Sequence, residues 1–339
     1  MYVYAGIDEA GYGPMYGPLV VGCCTLLIPK LAHDAPPPAL WQRLSKSVCK
    51  RLQGRKGRIV VNDSKKLTTK AAGIKHLEAG LLAFAGLDGS ALPSDLSDWL
   101  TKLGEQRHHS ERQDASPPGL DNMPWYAPAE DRPWETLPFA NTPDELAIAR
   151  SMLHGNCHRI GIELGGITGS VIYEDQFNRM VAATRSKASV SFTFVARHLV
   201  GLYEAYGTQH PHVAVDRQSG RTRYRPLLAD LFEGAGVDVV GETSNQSTYR
   251  ITGESGQRSM TVSFMVEAEQ KHMPVALASM TAKYTRELLM HRFNTFFTRL
   301  MPDVKPTAGY GSDANRWRDQ ALPLLRKAHI DHDQLRRMA

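Results

Sequence analysis

Residues 5–22 read AGIDEAGYGPMYGPLVVG and place two adjacent acids, Asp8 and Glu9, directly after an apolar, β-prone segment. A longer apolar run follows, so we predict two strands around a glycine-rich turn. Neighbouring side chains on a regular strand point to opposite faces, so both acids reach one site only if the backbone departs from the pleat. Gly11 and Gly13 permit such a departure.

The glycine spacing excludes two common phosphate-binding motifs. Gly11, Gly13 and Gly17 are spaced GxGxxxG, with Pro14 between them and Pro18 and a strand after them. A dinucleotide fingerprint needs GxGxxG at the start of a helix, and the chain has no Walker sequence. A Rossmann site is therefore excluded, and we expect a turn whose backbone can approach a ligand closely.

Two more acids end later apolar segments. Asp216 ends the strand-like HVAVD at 212–216, and Glu269 closes the strand-like TVSFMVEAE at 261–269. Acids at the ends of central strands gather at one edge of an α/β sheet. Four carboxylates there repel one another unless cations lie between them, and oxygen ligands favour Mg²⁺ or Mn²⁺. The alternative is that each acid is a solvated residue at a strand end.

The composition indicates a globular protein of one large domain or two. The chain has 339 residues, is 42% hydrophobic and carries 40 Lys+Arg against 35 Asp+Glu, which argues against global disorder. Its four cysteines form no CxxC pair and no zinc spacing, which favours reduced thiols in the cytoplasm. Neither a signal peptide nor a membrane span is predicted, and we expect a soluble monomer.

Strands and helices alternate along most of the chain, which predicts an α/β fold. Residues 86–141 show no sustained period, and we interpret them as an irregular insertion. Order resumes with a helix for which Thr142 and Glu145 form a capping box and which Gly155 is expected to end. Helical patterns follow at 188–206 and 275–299, and then come a loop and a last helix.

Several blocks of the chain resemble the motifs of the type 2 ribonucleases H, the ribonucleases HII and HIII. They occur in the family's order: AGIDEAGYGPMYGPLVVG at 5–22, NDSKKLT at 62–68, IYEDQFN at 172–178, VAVD at 213–216, EQKHMPVALASMTAKYTRE at 269–287 and AGYGSDA at 308–314. The fifth block is similar to the family's acid followed by an AASxxAKxxRD helix. The first and last blocks are the most specific, and the middle of the chain follows the family more loosely.

The resemblance implies an RNase H-like fold, with a mixed central sheet flanked by helices and a C-terminal helical segment. Residues 1–300 would form the catalytic domain, with the insertion at 86–141, and residues 301–339 would complete the substrate-binding face. The implied activity is hydrolysis of the RNA strand of RNA–DNA hybrids, which leaves 5′-phosphate and 3′-hydroxyl ends.

The resemblance also implies a two-metal site. One ion would activate water and the other would stabilise the leaving 3′ oxygen, with Mg²⁺ or Mn²⁺ as the cofactor. Counting back from Ser279 gives Glu269 as the fourth acid, with Glu267 as its competitor. The implied catalytic and metal-binding residues are Asp8, Glu9, Asp216 and Glu269.

The substrate-binding residues that match the family's motifs are Gly11, Tyr12, Gly13, Lys65, Ser279, Lys283 and Tyr310. Tyr12 is a departure, because the family has arginine or lysine between the two glycines. In the family, the tripeptide at this position contacts the region of the ribonucleotide's 2′-hydroxyl largely through its backbone. The acid at 269 is typical of ribonuclease HIII, whereas the substrate-binding domain expected before Asp8 in that branch is not seen, so the chain resembles a divergent member whose branch stays open.

Basic residues are concentrated in two places. Four arginines lie within 217–225, and the segment from Lys271 to the end has 12 Lys+Arg against 6 Asp+Glu. Cations that follow a phosphate backbone give salt-sensitive binding, and the alternative is a solvated surface. His272 and Trp317 are predicted to pack, and the His108-His109 pair has no partner at ligand spacing.

Two other functions stay open at this point. The chain could be a non-catalytic nucleic-acid-binding protein that keeps the fold, a hypothesis favoured by Tyr12 and by the insertion. It could also be a nuclease of the same fold with another substrate, because one fold hosts many functions.

Overall fold

Seven strands form one mixed sheet in the computed structural model of the protein. The structure describes residues 1–69, 71–105, 120–217 and 220–338. Their order across the sheet is β5-β2-β1-β6-β9-β8-β7, and β3 and β4 form a separate parallel pair. The strands are β1 Tyr2–Ala10, β2 Leu19–Ile28, β3 Val48–Cys49, β4 Ile59–Val60, β5 Glu163–Ile172, β6 His212–Asp216, β7 Gly236–Glu242, β8 Gln246–Thr252 and β9 Ser259–Met265.

Helices flank this sheet and also form the C-terminal segment, which confirms the predicted α/β class with a mixed central sheet. Short 3-10 helices cover Leu120–Asn122, Gly207–Gln209 and Ala268–Gln270. In the described part of the chain, no helix is long and apolar enough to cross a membrane. The α-helices are α1 Leu40–Arg43, α2 Ser64–Leu67, α3 Lys75–Ala85, α4 Leu96–Glu105, α5 Pro143–Ile160, α6 Glu174–Thr184, α7 Lys187–Tyr206, α8 Arg225–Leu231, α9 Met273–Leu300, α10 Gly311–Lys327 and α11 His332–Leu335.

Three parallel strands, β1, β6 and β9, lie side by side in the middle of the sheet. Ile7 of β1 pairs with Val215 of β6, and Asp216 pairs with Met265 of β9. Parallel strands end at the same edge of a sheet, so the acids that follow these apolar segments are brought to one place.

The long helix α9 lies directly on β1 and β2 because glycines face it. A Cβ atom at Gly6 would lie 2.1 Å from the Val275 nitrogen, and one at Gly22 would lie 2.4 Å from the Ala278 oxygen. Any side chain at either position would force the helix away from the sheet. Apolar residues of α7 cover the opposite face, where Ile7 belongs to the same buried cluster as Leu199.

The segment predicted to be an irregular insertion at 86–141 contains a ten-residue helix, α4. Trp99 of α4 is fully buried, and its Nε1 donates to Thr285 Oγ1 of α9 at 2.9 Å. The helix has apolar residues at positions 96, 99, 100 and 103, a helical spacing that the prediction overlooked among nearby Pro, Ser and Gly. His108 and His109 lie outside the described residues.

Helix α5 begins as predicted but ends later. Thr142 and Glu145 form the reciprocal capping box, and the helix continues through Gly155 to Ile160. Gly161, with φ of 67°, provides the left-handed residue that ends it. The expected end at Gly155 was wrong because a glycine in an exposed turn lowers helix stability without breaking the helix.

Candidate active site at the ends of the parallel strands

Asp8 and Asp216 are neighbours at the carboxyl ends of β1 and β6. They are the next residues along the two strands after the Ile7–Val215 pair. Asp8 is 8% exposed, and its carboxylate accepts hydrogen bonds from the Glu9 N–H at 2.7 Å and from the Ser279 hydroxyl. Burial and the nearby carboxylates of Asp216 and Glu9 raise the pKa of Asp8 well above its usual range.

Ser279 connects Asp8 to the NDSKKLT block. Its Oγ lies 3.0 Å from Ser64 Oγ at the start of α2, and both hydroxyls are buried. Asp63 caps α2 by accepting a hydrogen bond from the Lys65 N–H. The blocks at 5–22, 62–68 and 269–287, which are far apart in the sequence, therefore meet at one acid.

Asp216 and Glu269 form a second pair of carboxyl groups. Asp216 accepts a hydrogen bond from the Ala268 N–H at 3.0 Å and another from the Glu269 carboxyl group. Burial raises the pKa of Asp216, and burial together with the Asp216 charge raises the pKa of Glu269 to about 7. At neutral pH the two groups can therefore share a proton.

The structure separates Glu269 from its competitor Glu267. Strand β9 ends at Met265, so Glu269 lies in the 3-10 helix that follows and does not close the strand as the sequence predicted. Glu267 adopts a left-handed conformation, with φ of 53°, and its side chain is exposed. This turn places Glu269 beside Asp216 and leaves Glu267 facing solvent.

Glu9 lies one residue further along β1. The backbone stays paired with β2 through Asp8, Glu9 and Ala10, so the expected departure from the pleat begins only at Gly11, with φ of 87°. Regular alternation places the two acids on opposite faces of the sheet edge. The charge of Glu9 acts both on Asp8 and on Tyr224, which packs on the α7 side.

Asp63 is a fifth acid that the sequence reasoning missed. Its charge acts on both Asp216 and Glu269. In the sequence, the lysines of the NDSKKLT block indicate substrate contact, and the signal for Asp63 is its place before Ser64, where an acid can cap a helix. The acid cluster defined by the structure therefore comprises Asp8, Glu9, Asp63, Asp216 and Glu269.

Cations lie on two sides of the acid cluster. Lys65 is exposed, and its charge lowers the pKa of Asp216. Lys50, from the basic stretch before the NDSKKLT block, donates to the Gln270 carbonyl at 2.6 Å. On the other side, the Arg217 N–H donates to the Met265 carbonyl, and the charges of Arg217 and Glu9 both act on Tyr224.

The glycine-rich turn contacts the AGYGSDA loop. The Arg286 guanidinium lies 4.8 Å from the Tyr310 ring centre, and a Cβ atom at Gly11 would lie 2.7 Å from Arg286 Nε. Tyr310 is 39% exposed, Tyr12 is half-buried, and Gly13 is exposed. The predicted substrate-binding residues of the two loops therefore lie close to each other, around Arg286.

Three other residues that the sequence analysis names, Lys283, His272 and Trp317, contact residues of the fold itself. Lys283 forms a 2.5 Å ion pair with Glu287, one turn further along α9. His272 Nδ1 is hydrogen-bonded to the Tyr4 hydroxyl, and burial lowers the pKa of His272 to about 4. Trp317 is buried against Tyr16, which agrees with its predicted packing role.

The donors of the acid cluster match the chemistry of a divalent cation. They are carboxylate oxygens, the ligands that Mg²⁺ and Mn²⁺ prefer, and Glu269 Oε2 is buried without a hydrogen-bond partner. Across the described residues, however, no three Asp, Glu, His or Cys side chains converge closely enough to hold a metal ion. The Asp216 charge raises the pKa values of Asp8 and Glu269, which places the three acids within electrostatic reach, and repulsion between like charges favours such a spread arrangement.

Comparisons with known proteins give matches among solved structures only. A scan against protein-family models finds no match, and a search of curated proteins finds none. A ribonuclease HII from Archaeoglobus fulgidus, solved in complex with PCNA, is 16% identical, with 99% of this chain and 92% of that chain covered and a TM-score of 0.40.

Two further structures are similar at the same level. Bst-RNase HIII in complex with Mn²⁺ is 14% identical, with 99% of this chain and 66% of that chain covered and a TM-score of 0.41. Ribonuclease H2 from Pyrococcus horikoshii OT3 is 15% identical, with 98% of this chain and 92% of that chain covered and a TM-score of 0.37. Function is therefore inferred from the motifs and the site geometry.

Proposed function

We propose that the chain is a metal-dependent endoribonuclease that hydrolyses the RNA strand of RNA–DNA hybrids and leaves 5′-phosphate and 3′-hydroxyl ends. One observation carries the proposal, namely that the Asp216 charge raises the pKa values of both Asp8 and Glu269 at one sheet edge. Such an arrangement costs stability in the free protein, and a site for cations explains why it exists.

The surroundings of the acid cluster support a polyanionic substrate. Lys50 and Lys65 lie on one side and Arg217 on the other, so a phosphate backbone that crosses the cluster would meet a cation on each side. Binding would then depend on salt concentration, because each phosphate that is neutralised releases counterions. The motif blocks add the specific expectation of an RNA-containing duplex.

In this proposal the carboxylates of Asp8, Asp216 and Glu269 hold Mg²⁺ or Mn²⁺, and the Glu9 carboxylate, whose charge already acts on Asp8, would turn across the sheet edge to join them. When bound, the cations supply Lewis-acid stabilisation of the scissile phosphate and a water of lowered pKa. Ser279 keeps the Asp8 carboxylate oriented through its hydrogen bond. Glu269 must lose the proton that it shares with Asp216 before both can act as ligands.

The chain's other residues bind the substrate. The exposed Lys65 and the half-buried Arg217 would contact phosphates on either side of the cut. The backbone of Gly11 and Gly13 would approach the ribose, and the exposed Tyr310 would stack on a sugar or a base. Tyr12 carries no charge, so recognition of a single embedded ribonucleotide would depend on the backbone of the turn.

A second candidate is a non-catalytic protein that binds hybrids. It is favoured by the absence of any group of three converging metal-ligand side chains within the described ranges. It predicts hybrid binding that does not depend on divalent cations, whereas the nuclease requires them for cleavage.

An end-labelled RNA–DNA hybrid incubated with Mg²⁺ or Mn²⁺ tests the proposal. We expect internal cleavage of the RNA strand, with ends that a 3′-phosphatase leaves unchanged and that a 5′-phosphatase shifts. The same assay with one embedded ribonucleotide shows whether the turn needs a continuous RNA tract. Failure to cleave with either cation, together with tight binding in the presence of a chelator, would select the second candidate.

A further inference from the structure

The main chain of the glycine-rich turn is held by segments that are distant in the sequence. The Met15 N–H donates to the Gly309 carbonyl at 2.8 Å, which ties the turn to the AGYGSDA loop. The Gly17 N–H donates to Glu174 Oε1 at 3.0 Å, and this carboxylate at the start of α6 is fully buried. Loop backbone groups that are buried need such partners, so each of these bonds fixes the path of the turn.

The last residues of the chain supply two more of these anchors. The Arg337 N–H donates to the Met15 carbonyl at 2.8 Å, and Arg337 Nη2 donates to the Pro14 carbonyl at 2.7 Å. Arg337 is 2% exposed, and its guanidinium lies 4.8 Å from the centre of the Phe177 ring. We name residues 331–338 the C-terminal clasp.

The clasp is docked on the same helix that holds Gly17. Asn178 Nδ2 of α6 donates to the Arg336 carbonyl at 2.8 Å, and Asn178 Oδ1 accepts from the Met338 N–H at 2.7 Å. Helix α6 therefore holds the turn directly through Glu174 and indirectly through the clasp.

Burial of the Arg337 cation is costly. Burial lowers the pKa of Arg337 to about 10, and its Nε and Nη1 atoms have no hydrogen-bond partner. An apolar side chain of similar volume would avoid that cost, but it would leave the Pro14 carbonyl without its donor and the buried Glu174 carboxylate without the cation whose charge acts on it. Arg337 therefore contributes by fixing the position of the glycine-rich turn.

We propose that Arg337 is a positioning residue, which through Pro14 and Met15 holds the glycine-rich turn in the conformation that receives the ribose–phosphate backbone of the substrate. This inference rests on the proposed function, because the RNA-containing duplex is the ligand that the turn would contact. It adds to that function a role for the C-terminal clasp in substrate affinity.

The test compares Arg337→Ala with Arg336→Ala, which removes the neighbouring exposed arginine. We expect Arg337→Ala to raise KM for the hybrid about tenfold and to change kcat by no more than about twofold, because the acids keep their places. A purely structural role would lower the active fraction and so the apparent kcat, with no change in KM. Arg336→Ala should leave both constants within about twofold of those of the unmodified protein.

Asn178→Ala serves as the second variant if Arg337→Ala folds poorly. It removes two anchors of the clasp without touching the turn, and a KM increase of about threefold is expected. Equal KM values for Arg336→Ala, Asn178→Ala and Arg337→Ala would overturn the proposal.

Amide hydrogen exchange at Met15 and Gly17 in the free protein gives a readout that needs no substrate. Exchange should be faster in Arg337→Ala and Asn178→Ala than in Arg336→Ala, because the turn loses its anchors. If the unmodified protein cleaves no hybrid, the proposed nuclease function fails, and the exchange rates still decide whether the clasp orders the turn. Unchanged exchange in both clasp variants would contradict the positioning role.

Discussion

Two buried carboxylates, Glu78 in helix α3 and Asp8 at the end of β1, have opposite surroundings. Glu78 is fully buried and accepts hydrogen bonds from donors in two other segments. These donors are the N–H groups of Phe139, Ala140 and Asn141, the Asn141 side-chain amide and the Tyr284 hydroxyl, at 2.5 to 2.8 Å. Asp8 instead faces the charges of Asp216 and Glu9.

The comparison distinguishes a buried acid that stabilises the fold, Glu78, from one whose burial destabilises it, Asp8. A buried carboxylate with a full set of donors stabilises the structure, and Glu78 joins α3 to α9 through Tyr284. A buried carboxylate beside other carboxylates is destabilising, and such groups concentrate at functional sites. Burial alone therefore does not distinguish a structural acid from a candidate functional one, whereas the charge of its neighbours separates Glu78 from Asp8.

Asp8→Asn should have the largest effect. We expect hybrid cleavage to fall by about 1,000-fold or more, because one metal ligand is lost from a site that works as a unit. The fold should become no less stable, since the amide removes a repelled charge. Single-turnover cleavage and urea unfolding measure the two effects. Asp175→Asn, at an exposed acid of α6, is the matched control and should leave both unchanged.

Glu78→Gln should show the reverse pattern. Its amide group would face N–H donors that now bond to the carboxylate, and we expect the free energy of unfolding to fall by about 3 kcal/mol. The kcat of the folded protein should stay the same, because the hydrogen bonds of Glu78 go to residues outside the acid cluster. Glu233→Gln, at an exposed acid, controls for the loss of one charge. A Glu78→Gln protein that is as stable as the unmodified protein but inactive would contradict the structural role assigned to Glu78.

Glu269→Gln and Glu267→Gln form a matched pair two residues apart. We expect cleavage to fall about 100-fold for Glu269→Gln, which lies beside Asp216, and by less than about twofold for the exposed Glu267. Metal-dependent cleavage assays of both variants at the same cation concentration provide the measurement. Equal losses would mean that both acids take part, and a greater loss for Glu267→Gln would reverse the assignment.

The pH dependence of stability should show the smallest effect. The pKa of Glu269 is raised from 4.5 to about 7, so the folded protein keeps a proton that the unfolded chain loses between these values. The free energy of unfolding of the metal-free protein therefore falls as pH rises through this window. Glu269→Gln should make the decline shallower in urea unfolding at about pH 5 and about pH 8. An unchanged slope would show that Glu269 titrates normally.

Much of the fold could be predicted from local patterns. Apolar runs that end in an acid gave β1 and β6, and the Thr142 capping box gave the start of α5. Helix ends were less predictable, because Gly155 and Gly161 differ in backbone conformation and not in identity. The helix within 86–141 was missed because its apolar spacing is short and is surrounded by turn residues.

The site was only partly predictable for a different reason. The motifs indicated which acids to consider, but the β1–β6 register and the turn after β9 decide which of them meet. Asp63 and the Arg337 clasp depend on tertiary contacts between segments far apart in the sequence, which no local pattern encodes. Strict alternation along β1 also leaves Glu9 on the opposite face from Asp8, where the sequence anticipated a distorted backbone.

The central claim is that the acids that repel one another in the free protein form a cation site. Calorimetric titration of the protein with Mn²⁺ at about pH 6, in two buffers of different ionisation enthalpy, tests it by counting the protons released on binding. We predict binding with release of the proton held by Glu269, and loss of that release in Glu269→Gln. Absence of binding, or binding without proton release, would contradict the account.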